Sequence, residues 1–256
     1  MIRQPDPARL GGWQWLQRSN GRLTRRERLE LLGRIAASES RQLAHRLQAA
    51  VKRRTPRNVD LEAKLRPPDS RFALEVEAAA NEQTPGLLAH SYRTWIYGRA
   101  LAEVDAVPLD DEIFYAGCLL HDHGLMSPTA MQDFTLRSAQ RALGCAQKTG
   151  VDGGAAWRLA DAIAVHATAG ITVDRDGPLG CYIQAGAMVD ITGSRLWDLP
   201  RGVVSRTLQQ HGRQGFATEL AALITAEADA VPDGRFALLR RCGFIPLMKL
   251  APFDRI

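Results

Sequence analysis

From Arg71 onward almost every apolar run repeats with helical rather than alternating period. The spacing predicts helices over about 72–82, 86–104, 110–123, 134–149, 154–168, 179–193, 201–211, 214–229 and 234–241. Between them fall the punctuation marks of a helical chain, among them Pro85-Gly86, Val107-Pro108, Gly124, Gly150, Asp176-Gly177-Pro178, Leu199-Pro200 and Pro232-Asp233-Gly234. An all-α domain follows. Upstream, Leu29, Leu32, Ile35, Leu43 and Leu47 recur at roughly helical spacing between Thr24 and Arg53, and Thr24 with Glu27 fits a capping box. One or two amphipathic helices are expected there, then an irregular connection through Pro56, Pro67 and Pro68. The expected layout is a basic helical N-terminal arm and linker over 1–66, a helical bundle over 67–232, and a C-terminal helix and tail over 233–256 packing on the core.

The charge pattern supports setting the arm apart. Residues 1–57 carry 14 Lys and Arg against 4 Asp and Glu, a net +10, which leaves −5 for the other 199 residues of a chain whose total is +5. A high isoelectric point often marks nucleic-acid binding, yet here the excess belongs to the arm alone. Its arginines alternate with Leu and Ala, which a solvated helix face docked on the core explains without nucleic acid. The apolar stretches are too short for a membrane span and the start lacks a signal-peptide core, so a cytoplasmic protein acting on a small molecule is expected. Self-association is left open. Cys118, Cys145, Cys181 and Cys242 form no Cys-x-x-Cys pair, which removes a thiolate zinc knuckle from consideration.

The chemistry concentrates in Leu119-Leu-His-Asp-His-Gly124. Ile113, Gly117, Leu120, His121 and Gly124 share a helix face that reads as buried, and a buried imidazole beside a carboxylate needs a partner. Asp122 lies about 100° around the same helix, so the two can share one ion only over its last turn. His90, on a helix with the small residues Gly98 and Ala102, and Asp190, on an apolar helix without a local cation, are the natural further ligands. Arg93 shares the face of His90 and can reach a substrate anion or a carboxylate behind the metal. The spacing of Leu159, Ile163 and His166 turns His166 inward, toward a proton-transfer role, a second metal, or a core position.

These elements, in this order, resemble the HD-domain metal-dependent hydrolase superfamily, most of all its cyanamide hydratase-like branch. His90-Ser-Tyr-Arg93 with Tyr97-Gly98, the Leu119–Gly124 stretch, Asp190-Ile-Thr-Gly193, and His211-Gly-Arg-Gln-Gly-Phe216 carry the resemblance, over roughly 70–230. It implies an HD-domain helical bundle in which His90, His121, Asp122 and Asp190 hold one divalent transition metal ion. Zinc or iron suits this donor set best, with manganese, cobalt or nickel also accommodated. His123 replaces the small aliphatic residue that commonly follows the His-Asp pair in that superfamily. Beside a cation it can serve as general acid or base, or it can face solvent at the helix end. The implied activity is metal-dependent hydrolysis or hydration of a nitrile-like or phosphoester substrate, with His166, His123 and Arg93 as the catalytic candidates. Two alternatives stand beside it: an HD-type nucleotide phosphohydrolase, and a non-catalytic sensor or scaffold whose basic arm binds nucleic acid or a partner.

Overall fold

The computed structural model describes residues 6, 8–52 and 61–255, with side chains at 6, 8–40 and 61–253. Among these residues there is no strand, only isolated bridges joining Arg22 to Gly234 and Thr129 to Gln132. The helices in chain order are α1 (Trp13–Ser19), α2 (Arg25–Lys52), α3 (Arg71–Ala80), α4 (Pro85–Val104), α5 (Asp111–Leu120), α6 (Phe134–Thr149), α7 (Gly153–His166), α8 (Val173–Asp176), α9 (Pro178–Thr192), α10 (Val203–Gln210), α11 (Phe216–Ala230), α12 (Arg235–Arg241) and α13 (Phe244–Met248). None is long and apolar enough to cross a membrane.

Strong local signals start the central helices. Thr84 accepts the Leu87 amide ahead of Pro85 at the first position of α4, and Asp110, Asp133 and Asp152 cap α5, α6 and α7 through their carboxylates. Each cap of this kind contributes about 1 kcal/mol. The capping box at α2 forms as the sequence predicts: Thr24 N donates to Glu27 Oε2 at 2.8 Å and Glu27 N to Thr24 Oγ1 at 3.3 Å.

The pair that sets the frame is α4 against α9, which run antiparallel. His90 faces Asp190, Thr94 faces Gly186, and Gly98 faces Tyr182, one turn apart each time. A Cβ on Gly98 would stand 2.4 Å from the Tyr182 carbonyl oxygen, and one on Gly186 would stand 2.1 Å from that of Thr94. The two backbones therefore touch, which only glycine permits. This contact draws His90 and Asp190 together.

The N-terminal segment shares this core. Trp13, Trp15, Leu16, Leu23 and Leu31 are buried in the same cluster as α4, α5 and α7. Arg9 binds Asp161 of α7 at 2.8 Å and Asp176 at 3.1 Å. The apolar face read for α2 needs correction: Leu29 is 70% exposed and Leu32 is exposed, while Leu31 points inward. Side chains of Leu43, Leu47 and the basic residues between 41 and 57, and the start of the connection at 53–60 with Pro56, lie outside those described. At the other end, Phe216, Leu220, Ile224 and Met248 build a second apolar cluster with α9, bordered by Phe236 and Phe244.

Candidate metal centre

Helix ends position His121, Asp122 and His166. The last carbonyls of an α-helix lack intrahelical donors, and a histidine placed there can satisfy one with its ring N–H. His121, directly after α5, has Nδ1 at 2.7 Å from the Cys118 carbonyl, and His166, the last residue of α7, has Nδ1 at 2.6 Å from that of Ile163. A carbonyl only accepts, so each Nδ1 carries the proton and each Nε2 presents a lone pair in the neutral ring. His90 is fixed in the same sense, with Nδ1 2.6 Å from Asp190 Oδ2.

All three Nε2 atoms converge on Asp122, that of His90 also lying 3.5 Å from Thr94 Oγ1. The Nε2 atoms of His90 and His121 stand 3.6 and 3.3 Å from Oδ2, and that of His166 stands 3.4 Å from Oδ1. These separations exceed those of a charge-assisted hydrogen bond, about 2.7–2.9 Å, and fit groups arranged around a common centre. Asp122 reaches this position because α5 stops at Leu120 and its own backbone has left the helix (φ −106°, ψ 3°). A Cβ on Gly124 would meet the Phe134 carbonyl oxygen at 2.1 Å, so glycine lets the following turn close onto α6.

His90, His121 and Asp122 are all buried, with ligand atoms within 4.8 Å of one another, a cluster that could hold a metal ion. His121 Nε2 gives the fit an independent test: it is buried without a hydrogen-bond partner. Leaving such an atom unsatisfied costs about 1–3 kcal/mol, a penalty that a cation at this point removes. Burial presses His90 and His166 toward the neutral, ligating form against the pull of Asp190 and Asp122. At His121 burial opposes the charge too, but Asp122 outweighs it and raises the pKa. Asp122 stays ionised well below the usual carboxylate range: burial opposes ionisation, and His121 and His166 overcome it.

No family model matches the chain, and no curated protein matches it either.

Asp190 sits behind this cluster rather than within it. Besides His90, its carboxylate receives Arg93 through Nε at 2.9 Å and Nη2 at 2.8 Å, and Arg213 Nε at 3.1 Å. Its carboxylate is turned to these three donors, a placement from which it can orient and polarise the His90 ring. In this arrangement it stands outside the grouped ligand atoms of His90, His121 and Asp122. Arg93 is fully buried and absent from the cavity lining, with Nη1 donating to the carbonyls of His211 and Gly212, so in this arrangement it positions Asp190. Arg213, missed in the sequence although it lies in the quoted His211–Phe216 stretch, completes the clamp.

Of the two readings of His123, the structure shows the outward-facing placement. Its Nε2 meets Glu82 Oε2 at 3.0 Å, beside Arg141, in a cluster on the outer side of the helix end. The turn after α5 sends Asp122 inward and His123 away, and His123 does not line the cavity that Asp122 faces. His211 stacks on Tyr92 with centroids 4.7 Å apart. Arg137, Arg158 and Lys148 pair with Glu227, Asp110 and Glu75, and none lines the cavity beside the metal cluster.

That cavity has a volume of about 110 Å³. His121, Asp122 and His166 lie in its wall, while His90 is buried behind them. The rest of the lining is mostly apolar.

Proposed function

We propose that this chain is a metal-dependent hydrolase or hydratase of the HD-domain superfamily, acting on a small uncharged substrate. The observation that carries the reading is the convergence of three lone-pair Nε2 atoms on one buried carboxylate in the wall of a cavity. His90, His121 and Asp122 would hold the ion, a set of two imidazoles and one carboxylate that leaves coordination positions open and suits zinc or iron, with manganese, cobalt or nickel as weaker fits. When bound, a divalent ion supplies Lewis acidity and makes water ionise near neutral pH.

The chain's own residues would do the rest. Asp190, clamped by Arg93 and Arg213, keeps the His90 proton on Nδ1 and its Nε2 free. His166 faces the cavity with Nε2 unprotonated and Nδ1 anchored, so it can take a proton from water and return it to the substrate. In hydration of a nitrile-like carbon, water oxygen bonds to carbon, one C–N π bond breaks, and the proton passes to nitrogen. In hydrolysis of an amide-like carbon the same proton goes to the leaving nitrogen. Apolar walls exclude competing water.

The phosphoester reading fits less well. A phosphate needs several cationic donors, whereas the cavity lining contains no Lys or Arg, and Arg93 and Arg213 are turned to Asp190 behind the centre. Nothing in the described part of the basic segment favours the scaffold reading over the enzyme. The test is a substrate scan with metal-supplemented full chain, setting aliphatic nitriles and amides against nucleoside monophosphates. Turnover of the uncharged set that disappears in His166→Ala supports the proposal, and turnover of the phosphates alone contradicts it.

A further inference from the structure

The cavity's walls come from helices that the metal cluster does not use. Met188 of α9, Leu220 and Ile224 of α11, Phe236 of α12, Phe244 of α13 and Ile35 of α2 form them, with exposed Glu39 marking the solvent side. Beyond the two histidines and Asp122, the polar lining is confined to Ser38, Glu39 and Gln184.

Gln184 is held in one orientation. Its Nε2 donates to the His166 carbonyl at 2.5 Å and to the Thr168 carbonyl at 2.8 Å. Both partners can only accept, so the amide nitrogen must face them and the assignment of oxygen and nitrogen is not interchangeable. Both N–H donors are thereby used on the end of α7. What remains of this side chain for the cavity is Oε1, an acceptor, next to the segment that carries His166. The side chains around the cavity thus pair an apolar wall with acceptors, the Asp122 and Glu39 carboxylates, the Nε2 atoms of His121 and His166 and Gln184 Oε1, against a single neutral donor, the Ser38 hydroxyl, and include no Lys or Arg.

We propose that the site takes an uncharged substrate with an aliphatic or other apolar portion seated against α11 to α13, and an N–H donor beside the reacting carbon that Gln184 Oε1 accepts. Carboxamide chemistry meets both demands. This rests on the hydrolase or hydratase reading above and narrows its substrate class. Among the lining side chains an anionic head would meet Asp122, Glu39 and Gln184 Oε1 with only the Ser38 hydroxyl to donate to it. A head without a donor would leave Oε1 unsatisfied, the arrangement by which a polar site rejects analogues lacking the matching group.

The probes are straight-chain primary carboxamides from butanamide to octanamide, their N,N-dimethyl analogues, and the carboxylates of equal length. Binding is measured by calorimetry on the full chain in its metal-free form, which keeps carboxylates from being captured by an ion. The primary amides should tighten roughly fourfold per methylene until the cavity is filled. The N,N-dimethyl amides should bind about tenfold more weakly at equal length, and the carboxylates at least as much more weakly. Gln184→Met should erase the difference between primary and dimethyl amides while keeping the chain-length trend. Should that variant fail to fold, the wild-type comparison of the two amide series decides the point alone. Affinity independent of chain length, or carboxylates binding as tightly as amides, overturns the proposal. Metal content of the reconstituted chain, measured alongside, separates the two readings. One ion per chain with a flat amide series sinks the substrate class only, whereas a clear amide series without metal sinks the hydrolase reading.

Discussion

Two buried polar networks lie one helix end apart and have been built to opposite specifications. Around Arg235, every donor is spent: Nε and Nη2 go to Asp133, Nη2 also to Thr135 Oγ1, and Nη1 to the Ala164 carbonyl and Thr168 Oγ1. Around Asp122, three imidazoles approach to 3.3–3.6 Å and His121 Nε2 finds no partner. The closed network ties the N-terminal segment, through Trp15 against the guanidinium, to the start of α6 and the end of α7. Its chemistry is exhausted by the fold. The open one keeps lone pairs in reserve, and a protein retains that cost where something else is to be bound.

The largest effect that would break this contrast concerns the closed network. Arg235→Met strands a buried Asp133 and should cost about 3–5 kcal/mol of folding stability, read by urea denaturation with or without metal. A loss that metal restores would mean the two networks are not separate. Next, adding zinc to the metal-free chain at a hundredfold excess over Kd should stabilise it by about 2.7 kcal/mol. That is a rise in Tm of roughly 5–10 °C for a chain of this size, and no shift would count against an open centre. Asp190→Asn should lower metal affinity about 10–100-fold while leaving one ion per chain at saturation. Complete loss of the ion from the folded variant would return Asp190 to the ligand set. The smallest effect is at His123, where alanine should change stability by less than about 0.5 kcal/mol and turnover by less than about twofold. A large loss of turnover would restore its catalytic assignment.

Much of the helical framework was legible because its signals are local. The caps at Thr84, Asp110, Asp133 and Asp152 and the glycine at the α4–α9 crossing can be read without a partner surface. α1 and α13 were not, since they are seven and five residues long and lack side-chain caps. In α2 the leucines divide between two faces, and only the packed core distinguishes Leu31 from Leu29. The site divides in the same way. The inward faces of His121 and His166 follow from spacing, Asp122 from its place beside His121, and His90 entered through the order of motifs that carries the family resemblance. The role of Asp190 depends on two arginines arriving from different elements, and that of Gln184 on two carbonyls at the end of another helix, relations no single stretch of sequence encodes.

The central claim is that the Asp122 cluster holds a metal ion, and metal analysis after equilibrium dialysis tests it most directly, on wild type and Asp122→Asn side by side. The account predicts one divalent ion per wild-type chain and none in the variant, with both folded by circular dichroism. A folded wild-type chain that retains no zinc, iron or manganese, or a variant that binds as well as wild type, would contradict it.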